Sequence, residues 1–188
     1  SATKYMGGHN DLMAGVICGA QPLVDAVREF QRVTGATIDP NTSYLLIRGL
    51  KTMALRVRRQ NETALSLARF LEGHAKIRCV YYPGLESHVD YATAKEQMRG
   101  YGGLISFEID GDLEQTKRFI HALSVPQIAP SLGGVETLVS HPATISYYDL
   151  SREDRLAIGI SDELVRYAVG IEEAEVLIAD IERALEAV

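Results

Sequence analysis

The sequence has only two cysteines, no excess of positive charge and no long apolar run. Cys18 and Cys79 lie far apart and form no CxxC pair, which indicates a reducing compartment with inert, buried thiols. The net charge of −6 argues against non-specific nucleic-acid binding, which requires a basic surface. No apolar stretch approaches the roughly 20 residues that span a bilayer, so no membrane partner is expected. The five histidines form no HxxxH pair, and no metal site is expected.

The first 40 residues predict one strand and one helix. The apolar run GVICG (15–19) lies between glycines, which is typical of a buried strand. The segment QPLVDAVREFQRVTG then predicts a helix, because Pro22 suits a first turn, Gly35 suits a C-terminal stop, and apolar residues recur on one face.

A long helix is predicted next, over residues 41–74. Its apolar residues recur at helical spacing, Gly73 can end it, and bends are expected at Gly49 and at the polar stretch QNET. Three consecutive polar residues can cap its start: Asn41, Thr42 or Ser43. A helix of this length is a candidate connection between two domains.

Strands and helices alternate in residues 75–188, which predicts a small α/β domain. Strands are expected at 76–84, 102–112 and 163–172. Within 102–112, apolar residues at 105, 107 and 109 alternate with the residues at 104, 106 and 108, which predicts one buried face. Helices are expected over 88–98, over the segment that Asp112 caps, and over the amphipathic C-terminal segment that ends at Val188.

Lys4 lies in SATKYMGGHND, between small hydroxylated residues and a Gly-Gly pair. An arbitrary lysine in this position is most simply a surface residue. A second interpretation is a lysine that forms an imine with a carbonyl compound, since a neutral amine is nucleophilic. Gly7 and Gly8 would let a flat ligand approach the backbone, and the Ser1 and Thr3 hydroxyls can donate to a phosphate. This pattern suits a phosphorylated aldehyde, above all pyridoxal 5′-phosphate (PLP).

Two further residues are candidates for binding an anion. Arg166 lies in the apolar segment LVRYAV, where an arginine must find an anion or lie at an edge. It either pairs with an internal carboxylate or clamps the α-carboxylate of a substrate, which its planar fork suits. Ser131 begins the Gly-rich turn SLGG, and on its own it is simply a turn serine.

The opening segment SATKYMGGHND resembles the cofactor-lysine segment of the trans-sulfuration enzymes, the Cys/Met-metabolism family that uses PLP. Five later segments agree with this family in the same order: LLIRGLKTMALRV, VYYPGLESH, GYGGLISFEIDGD, APSLGGVETLVSHPA and GISDELVRYAVGIE. The resemblance covers essentially the whole chain. Within the family, VYYPGLESH, FEIDGD and the APS before LGG are most similar to the plant-type cystathionine γ-synthases.

The resemblance implies an α/β fold with three parts. Residues 1–40 would be the C-terminal end of a PLP fold-type I (aspartate-aminotransferase-like) large domain, 41–74 the connecting helix, and 75–188 the small C-terminal domain. In this family a ring-stacking tyrosine and the aspartate that binds the pyridine nitrogen precede the lysine segment. The chain is therefore expected to require a missing N-terminal portion. A homotetramer and a cytoplasmic location, with the plastid as the alternative, are also expected.

The resemblance also assigns the site residues. Lys4 would be the catalytic residue and would hold the cofactor. Two residues of the same segment would bind the cofactor as well: Ser1 and Thr3. Three residues would bind the amino-acid substrate: Arg166, Ser131 and Thr144.

The reaction that this resemblance implies is a PLP-dependent γ-replacement, in which cysteine and an activated homoserine ester give cystathionine. The enzyme alternatives are γ- or β-elimination by a cystathionine or methionine lyase, and sulfhydrylation of a homoserine ester. Pro130 leaves this choice open, because many bacterial γ-synthases and γ-lyases have a glutamate there. The non-enzyme alternative is an inactive folded fragment that serves oligomerisation of such an enzyme.

Overall fold

The chain divides into two units, residues 1–54 and residues 55–188, and the computed structural model describes every residue of both. Helix α1 spans Gln21–Thr34, with Pro22 in its first turn and a left-handed Gly35 at its end, so the predicted helix is confirmed. No residue of α1 is buried, and Leu23, Phe30 and Val33 are 70%, 67% and 80% exposed. The apolar face that the sequence predicted is therefore open to solvent.

The strand predicted over residues 15–19 is wrong. These residues have no regular secondary structure and are exposed, and the unit 1–54 contains no strand. A strand is defined by hydrogen bonds to a neighbouring strand, so an apolar run without such a neighbour cannot form one. Val16 and Ile17 are accordingly 48% and 57% exposed. The expected burial of the two thiols is also wrong, because Cys18 in the same segment is exposed and Cys79 is only partly buried.

Two helices occupy the region of the predicted long helix. Helix α2 spans Pro40–Leu50 and helix α3 spans Met53–Glu72. The bend expected at Gly49 is confirmed by the break between the two helices, and the helix ends before Gly73 as predicted. The bend expected at QNET is wrong, because these residues lie inside α3, where Gln60 and Thr63 are buried.

The cap of α2 is Asp39, not one of the three polar residues that follow Pro40. The Asp39 carboxylate accepts hydrogen bonds from the backbone N–H groups of Asn41 (2.9 Å) and Thr42 (3.0 Å). Pro40 is the first helical residue, a position where its missing N–H removes nothing from the helix. This placement makes Asn41, Thr42 and Ser43 helical residues.

Gly49 of α2 lies directly against the opening turn of the chain. A Cβ atom on Gly49 would meet the carbonyl oxygen of Gly7 at 2.2 Å and that of Met6 at 2.8 Å. These distances are shorter than any normal contact, so only glycine allows this approach. The opening turn is thus packed against α2 by backbone contact.

Residues 55–188 are built on a five-stranded sheet with the strand order β1-β2-β5-β4-β3. Its strands are β1 (Ile77–Tyr81), β2 (Leu104–Ile109), β3 (Gln127–Ile128), β4 (Leu138–Ser140) and β5 (Leu164–Ala168). Only β3 and β4 are parallel, and the other pairs are antiparallel. The predicted strands at 76–84, 102–112 and 163–172 are confirmed. The sequence did not predict β3 and β4, since two or three residues are too few to show an alternation.

One face of the sheet carries the hydrophobic core. In β2, Ile105, Phe107 and Ile109 are fully buried, whereas the residues between them are only partly buried, as the alternation predicted. Helices α3, α5 (Leu113–Ala122) and α8 (Ala174–Leu185) contribute to the same core. The Phe107 ring packs edge-on against Phe119 of α5, with centroids 5.9 Å apart, a favourable aromatic geometry.

The predicted helices of this unit are also confirmed. Helix α4 spans Tyr91–Gln97. Asp112 caps α5 through a capping box, in which Asp112 accepts from the Gln115 N–H (2.8 Å) and Gln115 accepts from the Asp112 N–H (3.0 Å). The C-terminal helix α8 buries its predicted apolar face. No helix of the chain combines the length and the hydropathy that crossing a bilayer requires.

The sequence did not predict two short helices, α6 (Pro142–Ile145) and α7 (Arg152–Ala157). The buried His141, which precedes α6, and two arginines of α7 all bind Asp162. His141 Nε2 lies 2.8 Å from the Asp162 carbonyl oxygen and Nδ1 lies 2.9 Å from the Thr144 hydroxyl. Because a carbonyl only accepts, Nε2 carries the proton and Nδ1 accepts from Thr144. The Asp162 carboxylate in turn accepts from Arg152 and Arg155, both at 2.7 Å.

Gly49→Ala is expected to lower the midpoint of thermal unfolding, followed by circular dichroism. In an open helix, alanine would stabilise by about 1 kcal/mol relative to glycine. Here the new methyl group would overlap the Gly7 carbonyl oxygen. Gly15→Ala is the matched control, because a Cβ there would meet nothing within 4 Å. A midpoint for Gly49→Ala at or above that of the parent would contradict the close packing.

Stability is expected to fall as the pH falls below 6.5, and His141 contributes to this loss. Burial lowers the pKa of His141 below 6.5, and the hydrogen bond to the Asp162 carbonyl opposes this only in part. Between its folded pKa and 6.5 the unfolded chain binds a proton that the folded chain does not, so acid favours unfolding. Urea unfolding across this range should show a smaller loss of stability for His141→Gln than for the parent. Parallel curves for the two proteins would contradict the assignment.

Candidate active site

The opening turn presents Lys4 from a closely hydrogen-bonded backbone. The Gly7 N–H donates to the Ala2 carbonyl (2.8 Å), and the Gly8 N–H donates to the Lys4 carbonyl (2.8 Å). Gly8 has a φ of 74°, a left-handed conformation that glycine adopts without strain. The tight turn predicted from the Gly-Gly pair is therefore present, and Lys4 is half-buried within it.

Thr3 ties this turn to the segment that follows. Its hydroxyl accepts from the Ala14 N–H (3.0 Å) and donates to the Ala14 carbonyl (3.3 Å). The backbone N–H groups of Ala2 and Thr3 donate to the same carbonyl at 2.9 and 3.2 Å. Of the two hydroxyls expected at a phosphate, that of Thr3 is thus engaged with the backbone, and Ser1 is exposed.

The donor set of the turn fits a phosphorylated aldehyde. Such a ligand requires an amine for the aldehyde and hydrogen-bond donors for the phosphate, and Lys4 and Ser1 provide these within four residues. These donors therefore suit PLP. Gly7 and Gly8 are buried within the turn, and the Leu12 side chain lies against Gly7.

Arg166 lies in the middle of the central strand β5. The strand register places Ser106 of β2 and Ser140 of β4 opposite it, so two small polar side chains flank the arginine on the face away from the core. Its Nη2 donates to the Ser131 carbonyl oxygen at 3.0 Å, while its Nε is buried without a partner. Burial lowers the pKa of Arg166, and the nearby Tyr147 acts in the opposite direction.

No internal carboxylate pairs with Arg166. The ion pairs of the chain involve other arginines. A half-buried guanidinium with one carbonyl acceptor and one orphaned N–H lacks the anion that such a group requires. This geometry favours the second of the two interpretations of Arg166, a site for an external carboxylate.

Ser131 lies next to Arg166, and the contact between them is made by the backbone carbonyl of the serine. Ser131 is half-buried in the loop that joins β3 to β4, and its carbonyl oxygen accepts from Arg166. Thr144 lies in α6, and its hydroxyl donates to His141. The structure shows no hydrogen bond from Thr144 to Arg166. Tyr147 is near enough to Arg166 to act on it electrostatically.

Sequence reasoning missed the residues that hold the Ser131 loop, Gln60 and Glu172. Gln60 donates to the Gly134 carbonyl at 2.7 Å, and Glu172 accepts from both the N–H and the hydroxyl of Thr137. The only sequence signal for Gln60 is its place in the polar stretch QNET of a predicted helix, and this does not indicate which group its amide binds. Local sequence cannot reveal contacts that span 35 to 74 residues.

Comparison with known proteins agrees with these observations. The family model described as "Cys/Met metabolism PLP-dependent enzyme" matches residues 1–186. "Cystathionine gamma-synthase 1, chloroplastic" of Arabidopsis thaliana is 54% identical over 188 residues, which cover 100% of this chain and 33% of that protein. "L-methionine gamma-lyase" of Fusobacterium nucleatum is 44% identical over 99% of this chain and 48% of its own length.

A solved structure is similar to the whole chain. It is the "cystathionine gamma synthase from Xanthomonas oryzae pv. oryzae in complex with aminoacrylate and cysteine", with a TM-score of 0.94 and 38% sequence identity. The match covers 100% of this chain and 49% of the other. The fold is thus that of the C-terminal part of a PLP fold-type I enzyme, as predicted. The chain spans between a third and a half of the length of these relatives.

The cofactor expectation is confirmed at the level of the family, whose members are PLP-dependent enzymes of sulfur amino-acid metabolism. The family match over residues 1–186 agrees with the opening turn that carries Lys4 and with the arginine in β5 that has no carboxylate partner. This chain belongs to the Cys/Met metabolism family of PLP-dependent enzymes.

Proposed function

We propose that this chain carries the cofactor lysine and the substrate-carboxylate arginine of an enzyme that makes cystathionine from cysteine and an activated homoserine ester. The observation that carries this proposal is Arg166, a half-buried guanidinium with an unpartnered Nε in the central strand. An α-amino acid offers the planar carboxylate that such a fork binds through two hydrogen bonds. The 54% identity to a plant cystathionine γ-synthase supports the choice of reaction.

Lys4 would hold PLP covalently, with Ser1 and Thr3 at its phosphate. Participation of Thr3 would require its hydroxyl proton to turn from the Ala14 carbonyl, a contact that is long at 3.3 Å. When bound, PLP supplies an electron sink for the bonds at the substrate α-carbon. The amine of Lys4 would take the proton from that carbon as a general base.

Arg166 and the Ser131 loop would fix the substrate. Two N–H groups of the guanidinium would donate to the substrate carboxylate, and the Ser131 carbonyl would keep the fork in its plane. In the overall reaction the cysteine sulfur bonds to the γ-carbon, and the acyl group leaves as a carboxylic acid. Thr144 would be a second contact to the substrate carboxylate only if its hydroxyl proton turned away from His141 Nδ1.

The alternative reaction is elimination. Methionine γ-lyases and a cystathionine γ-lyase are 44% identical to this chain, and the same lysine and arginine serve either outcome. Direct sulfhydrylation of the homoserine ester would use them as well. The higher identity to the plant synthases favours γ-replacement.

The exposed apolar face of α1 supports a role for an N-terminal portion. Leu23, Phe30 and Val33 form a hydrophobic strip that a soluble protein normally covers. A homotetramer and a cytoplasmic location remain predictions from the resemblance. The plant relatives named as chloroplastic favour the plastid alternative.

Lys4→Ala in the complete protein is expected to abolish the visible absorbance of lysine-bound PLP, because no other amine of the turn can bond the aldehyde. The measurement is an absorbance spectrum after incubation with PLP and removal of the excess. Lys51→Ala, which alters an exposed lysine after α2, is the matched control and should keep the band. A persistent band in Lys4→Ala would refute the assignment of the lysine.

Product analysis should separate replacement from elimination. With an O-acylhomoserine and cysteine, the complete protein is expected to form cystathionine. With cystathionine alone, it should release little 2-oxo acid, which is the product of elimination. Faster release of 2-oxo acid from cystathionine than formation of cystathionine would favour the lyase alternative.

A further inference from the structure

The loop between β3 and β4, residues 129–137, depends on anchors outside itself. Two of the four residues in its SLGG segment, Gly133 and Gly134, have no side chain to pack, and Gly133 adopts a left-handed φ of 82°. Gln60 of α3 supplies one anchor. Its side chain is fully buried, and its Nε2 donates to the Gly134 carbonyl at 2.7 Å.

The other end of the loop is anchored at the end of β5. Both oxygens of Glu172 accept from Thr137, one from the backbone N–H (2.8 Å) and one from the hydroxyl (2.7 Å). The Thr137 hydroxyl in turn accepts from the Gly170 N–H (2.9 Å), and the Ile171 N–H donates to the Val135 carbonyl (2.9 Å). Thr137 and Gln60 therefore bracket the glycine turn.

The position of this loop decides where the Arg166 fork points. The Ser131 carbonyl lies three residues before Gly134 and is the acceptor that the structure gives Arg166. A planar fork binds a carboxylate through two hydrogen bonds only in a narrow range of orientations. A shift of the loop would rotate the guanidinium and lose one of these bonds.

The state of Gln60 itself indicates a role other than stability. Its Oε1 is buried without a partner, which costs folding free energy that an apolar side chain of similar size would not. An amide that carries this cost supplies one thing that methionine cannot, the donor to the Gly134 carbonyl.

We propose that Gln60 is a positioning residue for substrate recognition: its amide holds the SLGG turn, the turn holds Arg166, and Arg166 binds the carboxylate of the amino acid. This inference rests on the proposed function of Arg166. It predicts that loss of the Gln60 amide weakens recognition of a carboxylate specifically.

Asn61 provides a matched control on the same helix. Its Oδ1 accepts from the Gly102 N–H at 2.7 Å, a hydrogen bond of the same length as that of Gln60. The Gly102 loop leads into β2 and carries neither Arg166 nor Ser131. Removing the Asn61 amide therefore tests the loss of a loop anchor without a change in the loop that contacts Arg166.

The experiment uses the complete, PLP-loaded protein and two probes, glycine and methylamine, which differ by the carboxylate. Titration calorimetry gives the dissociation constant of each probe for the parent, Gln60→Met, Asn61→Leu and Arg166→Lys. For Gln60→Met, glycine binding should weaken by about threefold to tenfold, the range of one net hydrogen bond, while methylamine binding stays unchanged. Asn61→Leu should bind both probes as the parent does.

Other results would overturn the inference. Parental glycine binding by Gln60→Met, or equal weakening for glycine and methylamine, would show that Gln60 has no part in carboxylate recognition. Arg166→Lys separates this failure from that of the proposed function, because it must lose glycine selectively if Arg166 is the carboxylate site. If Gln60→Met does not fold, Thr137→Val releases the other end of the same loop with little change of volume and should give the same selective loss.

Discussion

A guanidinium placed in the middle of a sheet is the constraint on which the unit of residues 55–188 depends. Arg166 occupies the central position of β5, where removal from water disfavours its charge. No carboxylate of the chain compensates, and the neighbouring strands offer only serines at the paired positions. Such a charge is tolerated in a folded protein when a ligand completes its hydrogen bonds. Under the proposed function, the carboxylate of an amino-acid substrate would complete an ion pair with Arg166.

The antiparallel arrangement explains how helix α3 can support this site. Since β2 and β4 run opposite to β5, the ends of the loops before β2 and β4 meet the end of β5 at one edge of the sheet. Three consecutive residues of α3 contact these segments. Arg59 forms an ion pair with Glu173, Gln60 donates to Gly134, and Asn61 accepts from Gly102. Of these three contacts, only that of Gln60 reaches the loop whose carbonyl accepts from Arg166.

The opening turn that carries Lys4 is held by backbone hydrogen bonds and glycines, whereas the Arg166 site is held by side chains. Carbonyls of Ala2, Lys4 and Ala14 accept the hydrogen bonds that close it, and Gly49 allows α2 to approach. The residues alone lead to the proposed chemistry, since lysine, serine and glycine within eight positions suit a phosphorylated aldehyde. Its support could not, because nothing near Gly49 in the sequence indicates that a carbonyl 42 positions away lies against it.

The sequence by itself determined the elements whose signals are local. Pro22 and Gly35 delimit α1, Asp112 caps α5, and alternation in β2 selects the buried face. These signals depend on neighbours within a few residues, so they hold wherever the segment lies. Only the tertiary structure decided that residues 15–19 form no strand and that Arg166 meets a backbone carbonyl 35 residues away. Strand pairing and burial depend on which distant segments pack together, and a local pattern does not contain that information.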